Sequence, residues 1–133
     1  MGGRILLVDD EVELGKLVKM RLEANGYEVL TAFNGQDALE KAQTERLDLI
    51  ILDLMLPKMN GYEVCTMLKQ DARYQHIPIV IFTALAQTKD AALAKECGAD
   101  AYICKPFKAE QLLQTIASLL SSPTAPASGG VTT

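Results

Sequence analysis

An open, doubly wound α/β fold with one parallel sheet is the architecture this sequence predicts, and three observations carry the prediction. Short, continuously apolar runs occur at 5–8, 29–32, 49–52 and 79–82, with a weaker one at 101–104. Each run is followed by a segment whose apolar residues recur at helical spacing. The runs show no polar alternation, which is how parallel strands covered on both faces read. Strict alternation of strand and helix implies right-handed crossovers and a sheet between two helical layers. Five such units are too few for an eight-fold barrel, so the open sheet is expected.

Taken in order, the first helix rests on Leu14, Leu17, Val18 and Leu22 and stops at Asn25-Gly26, a C-terminal signal. The second follows Asn34-Gly35 and carries Ala38, Leu39 and Ala42. Tyr62, Cys65, Met67 and Leu68 outline a third, residues 91–97 before Gly98 a fourth, and Leu112, Leu113, Ile116, Leu119 and Leu120 a fifth. After Leu120 the text "SSPTAPASGGVTT" is small, polar and aperiodic, as linkers are. One domain over 1–120 and a flexible linker or tail over 121–133 is the organisation expected of 133 residues.

Composition narrows the function. With 13 Lys+Arg against 17 Asp+Glu, the net charge of −4 would repel a polyanion, and no basic cluster offers a nucleic-acid footprint. No apolar run reaches membrane-spanning length and no secretory signal opens the chain, so a cytoplasmic protein without membrane contact is expected. Cys65, Cys97 and Cys104 lack metal or redox spacing and read as small buried hydrophobes. His76, the one histidine, precedes Ile77-Pro78 in an expected loop and is given no role.

Ligands of an open parallel sheet bind beyond the carboxyl ends of its strands, so those ends are where chemistry is sought. The first strand ends in Asp9-Asp10 with Glu11 behind, the third in Asp53, the fourth in Thr83, and the fifth is followed by Lys105-Pro106. Singly, an Asp at such a junction is often a helix cap and a Lys often a surface residue. Capping explains one acid at one junction, not three aspartates on neighbouring strand ends facing a lone lysine. Like charges held together call for a cation, and hard oxygen ligands favour Mg²⁺, with Mn²⁺ as its substitute. A carboxylate so placed can act as a nucleophile toward phosphorus, with Lys105 as a point charge and Thr83 as a hydrogen-bond donor.

This ordered set resembles the response-regulator receiver domain of two-component signalling, over roughly residues 4–120: the acids of "LLVDDE", the aspartate of "LDLMLPKMNG", the threonine of "IFTA" and the lysine of "ICKPFK". The resemblance implies a flavodoxin-like five-stranded sheet of order 2-1-3-4-5 with helices on both faces. It implies that Asp53 accepts a phosphoryl group from a sensor histidine kinase or phosphotransfer protein. Asp10, Asp53 and the backbone carbonyl of Met55 would hold the metal, with Asp9 assisting through water. Lys105 and Thr83 would bind the phosphoryl oxygens beside the small residue Ala84. Tyr102 would follow Thr83 in switching, and Pro106 would be cis. The face of the fourth helix, fifth strand and fifth helix would then act on an output domain or protein, or on a second copy in a homodimer. Met55 and Leu85 are apolar and offer attacking water neither acid nor base, so slow loss of phosphate is expected. The chain is expected to be either a free-standing receiver or, the preferred reading, a receiver cut from a longer protein at its linker.

Rival readings differ at single positions. A haloacid-dehalogenase-like phosphatase also uses a strand-end Asp with Mg²⁺, but wants a general acid two residues on, where this chain has Met55. A flavodoxin-like electron carrier would have its flavin phosphate repelled by the acids of the first strand end. A P-loop switch lacks GxxxxGK.

Overall fold

The fold begins with apolar strands too hydrophobic for solvent on either side. A computed structural model of the chain describes residues 3–54, 56, 59–83, 95–104 and 108–121, with the backbone alone at 83 and 121. Five strands, β1 (Arg4–Val8), β2 (Glu28–Ala32), β3 (Leu49–Asp53), β4 (Ile79–Thr83) and β5 (Ala101–Cys104), form one sheet of order β2-β1-β3-β4-β5. All four neighbouring pairs are parallel. The expected topology is thus observed. β3 lies at the centre, and all five of its residues are buried.

Period-two alternation divides the core between the two faces of the sheet. Leu6, Val8, Ile50, Leu52, Ile79 and Ile81 pack with Ala38, Val64 and Leu68 from helices α2 (Gly35–Thr44) and α3 (Gly61–Lys69). Ile5, Leu7, Leu49, Ile51, Val80 and Phe82 pack with Val18 and Leu22 of α1 (Val12–Ala24) and with Leu112 and Ile116 of the C-terminal helix (Ala109–Ser121). Each fully buried Leu or Ile contributes about 1.5–3 kcal/mol of transfer free energy, which anchors the strand ends from below.

Helix ends follow local rules. α1 closes in a Schellman arrangement, with the Gly26 N–H donating to the Glu23 carbonyl at 3.1 Å and the Tyr27 N–H to the Leu22 carbonyl at 3.2 Å. Gly26 takes φ +91°, the left-handed conformation that this motif requires. α2 and α3 begin on Asn34 and Asn60, whose side chains accept the N–H of Asp37 and Glu63. Glu63 also accepts the Asn60 N–H at 3.1 Å, completing a capping box.

Three details differ from the sequence reading. β3 and β4 each run one residue further, taking in Asp53 and Thr83, because the backbone ladder continues where apolar side chains stop. Leu17 is 62% exposed; the core-facing stripe of α1 follows i, i+4 spacing through the partly buried Leu14 and the buried Val18 and Leu22, which leaves Leu17 on the outside. β1 and β2 each begin one residue earlier, at Arg4 and Glu28. Of the expected fourth helix, residues 95 and 96 are helical and 91–94 lie outside the described residues. Met55, Pro57, Ala84, Leu85, Lys105, Pro106 and the expected tail beyond Ser121 also lie outside them.

Candidate functional site

The site is built by strand register. Val8 pairs with Leu52, so the residues that follow each, Asp9 and Asp53, leave adjacent strands side by side. Asp9 continues the row of Ile5 and Leu7, and Asp53 that of Leu49 and Ile51, so both belong to the face that α1 covers. Asp9 and Asp53 are each only 3% exposed, whereas Asp10 is open to solvent. Carboxylate oxygens of Asp9, Asp10 and Asp53 lie within 4.8 Å of one another.

A local turn and the acid cluster coexist here. One oxygen of Asp9 accepts the Glu11 N–H at 2.8 Å, directly before α1, and the Asp9 N–H donates to Ala32 on the β2 side at 3.1 Å. This is an Asx turn ahead of α1, whose N-cap, Glu11, has no side-chain cap of its own. Like charges about 4 Å apart near a protein surface repel by about 4 kcal/mol, so one turn bond does not account for three acids in this space. Oxygen-only donors around a shared point, two of them buried and one open to solvent, fit a hard divalent cation that retains water.

Behind Asp53 the backbone is closely packed. The Gly61 N–H donates to the Leu54 carbonyl at 3.0 Å, and a Cβ at Gly61 would collide with the Asp53 carbonyl oxygen. Glycine is therefore required where α3 abuts the end of β3. The Asn60–Glu63 capping box holds the start of the helix at that contact.

The remaining expected site residues are distributed as follows. Thr83 ends β4 opposite Cys104, with Asp53 opposite Phe82 on the adjoining strand. Tyr102 is half-buried on β5 against the core on the α2 and α3 side. Met55, Ala84, Lys105 and Pro106 lie outside the described residues.

Two features escaped the sequence reading, both at the opposite end of the sheet. Asp48 and Asp100 each directly precede a strand and clip the first residue of the next one. Asp48 accepts the Arg4 N–H at 2.8 Å while its own N–H donates to the Arg4 carbonyl at 2.8 Å. Asp100 does the same with Ile79, again at 2.8 Å in both directions, and also pairs with Lys69 at 2.8 Å. An Asp immediately before an apolar run was the available signal, but singly it reads as a turn residue.

Comparisons with known proteins agree with this geometry. A family model described as the response regulator receiver domain matches residues 5–117. The alkaline phosphatase synthesis transcriptional regulatory protein PhoP of Bacillus subtilis is 43% identical over 120 residues, covering 90% of this chain and 49% of that protein. The chain spans about half the length of the curated relatives it matches. Among solved structures, the receiver domain of a histidine kinase from Syntrophus aciditrophicus is 35% identical at a TM-score of 0.85, covering 94% of this chain and 96% of that one. A receiver domain of a sensor histidine kinase from Pseudomonas aeruginosa, 29% identical at a TM-score of 0.85, covers 92% of this chain and 100% of that one, and has a magnesium ion coordinated in its active-site cleft. The phosphatase reading finds no support in these matches. Sheet order, acidic cluster and family match converge, and the chain belongs to the response-regulator receiver domain family.

Proposed function

We propose that this receiver is a Mg²⁺-dependent phosphoacceptor in which Asp53 is the residue modified. The observation that carries the reading is the convergence of the Asp9, Asp10 and Asp53 carboxylates within 4.8 Å. Asp10, Asp53 and the Met55 carbonyl are the direct metal ligands in this reading. Asp9, with one oxygen engaged by the Glu11 N–H, acts through water. Magnesium, or manganese in its place, supplies neutralisation of the charge on acceptor and incoming phosphoryl group.

The chain's own residues do the rest. A carboxylate oxygen of Asp53 attacks phosphorus in line, and the bond from phosphorus to the donor nitrogen breaks as the new P–O bond forms. Burial in β3 fixes Asp53 before the donor arrives, which reduces the entropy lost on reaching the reactive geometry. Lys105 and Thr83 bind the transferred oxygens, Ala84 leaves their approach open, Tyr102 follows Thr83, and a cis Pro106 sets the position of Lys105.

The donor is a sensor histidine kinase or phosphotransfer protein in the cytoplasm. The reader of the switch is an output domain or protein, or a second copy, meeting the face formed by the fourth helix, β5 and the C-terminal helix. Residues 1–120 form the receiver and 121–133 its link to the output part, with any nucleic-acid contact left to that part. Relatives of about twice this length support that arrangement.

Acetyl phosphate with Mg²⁺ should give acid-labile, stoichiometric phosphorylation that Asp53→Asn abolishes and chelation prevents. Labelling that persists in Asp53→Asn would overturn the assignment.

A further inference from the structure

Beneath α3 two thiols meet, although 32 positions separate them in sequence. Cys65 is fully buried on the inner face of α3, and Cys97 is 6% exposed where the residues before Gly98 turn toward β5. The Cys65 thiol donates to the Cys97 carbonyl oxygen at 3.2 Å, which puts the two residues in direct contact. Cys104, on β5, is half-exposed.

The surroundings distinguish the two sulfurs. The hydrogen bond to Cys97, followed by burial, pushes the Cys65 thiol well above the usual range and keeps it protonated. The neighbouring Cys65 side chain, reinforced by the Ala99 N–H and the Lys69 charge, draws the Cys97 thiol down against the opposing effect of burial. Lys69 is held in place: its ammonium donates to the carbonyls of Gln75 and Ile77 at 3.1 and 2.8 Å and to Asp100 at 2.8 Å. Its stem packs against Gly98, next to Cys97, where an added Cβ would stand 3.1 Å from the Lys69 Cγ. Gly98, at φ +88°, thus admits both the turn and the lysine. Cys65, fully buried with its S–H held by a carbonyl, suits the resolving role, and Cys97, nearer the surface and beside the fixed Lys69 stem, suits the attacking one.

We propose that Cys65 and Cys97 form a reversible dithiol that small hydroperoxides oxidise to a disulfide. The Cys97 thiolate attacks a peroxide oxygen and the O–O bond breaks. The departing hydroxide takes up the proton lost when Cys97 ionised and leaves as water. Sulfur is oxidised to sulfenic acid as the peroxide is reduced. Cys65 then attacks the Cys97 sulfur, the S–O bond breaks, and the Cys65 proton leaves with the hydroxyl as a second water. Two thiols and one hydrogen peroxide thus give one disulfide and two waters. The contact of Cys65 with the Cys97 main chain brings the two side chains together, and the bond requires their sulfurs to close to about 2.05 Å. The bond joins α3 to the turn that feeds β5, and it forms independently of any phosphorylation.

The test uses hydrogen peroxide on the full chain and on its Cys104→Ser variant. In Cys104→Ser both remaining thiols should disappear together, with the mass of two hydrogens lost, no dimer on a non-reducing gel, and recovery with dithiothreitol. In Cys65→Ser/Cys104→Ser the reaction should stop at a sulfenic acid on Cys97 that dimedone traps. The unaltered chain gives a reading free of folding effects. Cys97 and Cys104 fall on one tryptic peptide beginning at Glu96, so fragmentation of the cross-linked peptide must place the bond at Cys65 and Cys97. A bond through Cys104, a cross-linked dimer, or two thiols that survive peroxide sufficient to oxidise free cysteine would overturn the proposal.

Discussion

The two ends of the sheet treat charge in opposite ways. At the amino-terminal end of the strands carboxylates meet donors: Asp48 clips Arg4, Asp100 clips Ile79 and pairs with Lys69, and Arg4 reaches Glu28 and Glu45. At the carboxyl end three aspartates crowd one another within 4.8 Å. The first pattern lowers the energy of the fold as it stands. The second gathers like charges around one point, where a cation lowers their mutual repulsion, so it marks where the molecule is built to bind. The same residue type serves both purposes, and only its neighbours tell which.

Removing a clip should be the costliest way to break this comparison. Asp100→Ala strips a part-buried N–H of its acceptor and leaves Lys69, whose side chain is 15% exposed, without its counter-charge. Discounting for the partial exposure of Asp100, the loss should be about 2–3 kcal/mol, or roughly 10 °C in Tm. Asp100→Asn retains an acceptor and should recover about half. Urea unfolding measures both, and a loss under about 1 kcal/mol for Asp100→Ala would show that the clip is dispensable.

The opposite sign is expected at the other end. Asp10→Asn relieves repulsion at an exposed position, so the metal-free protein should become more stable by about 1 kcal/mol. The unaltered chain should instead gain about 1.4 kcal/mol from Mg²⁺ at ten times its dissociation constant, a gain that Asp10→Asn largely forfeits. Thermal unfolding with and without Mg²⁺ reads both effects. Equal metal stabilisation of the two proteins would remove Asp10 from the metal site.

These contrasts explain what the sequence disclosed. Five parallel strands were legible because central strands are apolar throughout, and the rim acids were legible because Asp9, Asp10 and Asp53 interrupt those runs at equivalent places. The ends of β3 and β4 were misjudged by one residue because hydropathy follows side chains while a strand follows its backbone bonds. Leu17 shares the helical spacing that marked α1 yet lies outside the core, because i, i+3 and i, i+4 neighbours look alike in sequence although only one row meets the sheet. The clips and the Cys65–Cys97 contact were invisible for another reason. Each depends on a partner more than 20 positions away, and neither leaves a periodic trace.

The smallest effect expected is also the one that separates backbone from side chain at the clipped edge. Arg4 makes two ion pairs, to Glu28 at 3.3 Å and Glu45 at 3.4 Å, with all three side chains a third or more exposed. Such pairs contribute about 0–1 kcal/mol, so Arg4→Met should cost no more than about 0.5 kcal/mol. Near 1 M salt, where the screening length is about 3 Å, even that difference should shrink. The Arg4 N–H remains on Asp48 in this variant, because the clip uses main chain that methionine also has. Asp48→Ala, which removes the acceptor instead, should cost about 1–2 kcal/mol and change little with salt. If urea unfolding gave the two variants equal losses, the ion pairs rather than the clip would hold β1 to β3. The matched charges of this edge would then stabilise through the long-range attraction whose reverse is expected at the aspartate cluster.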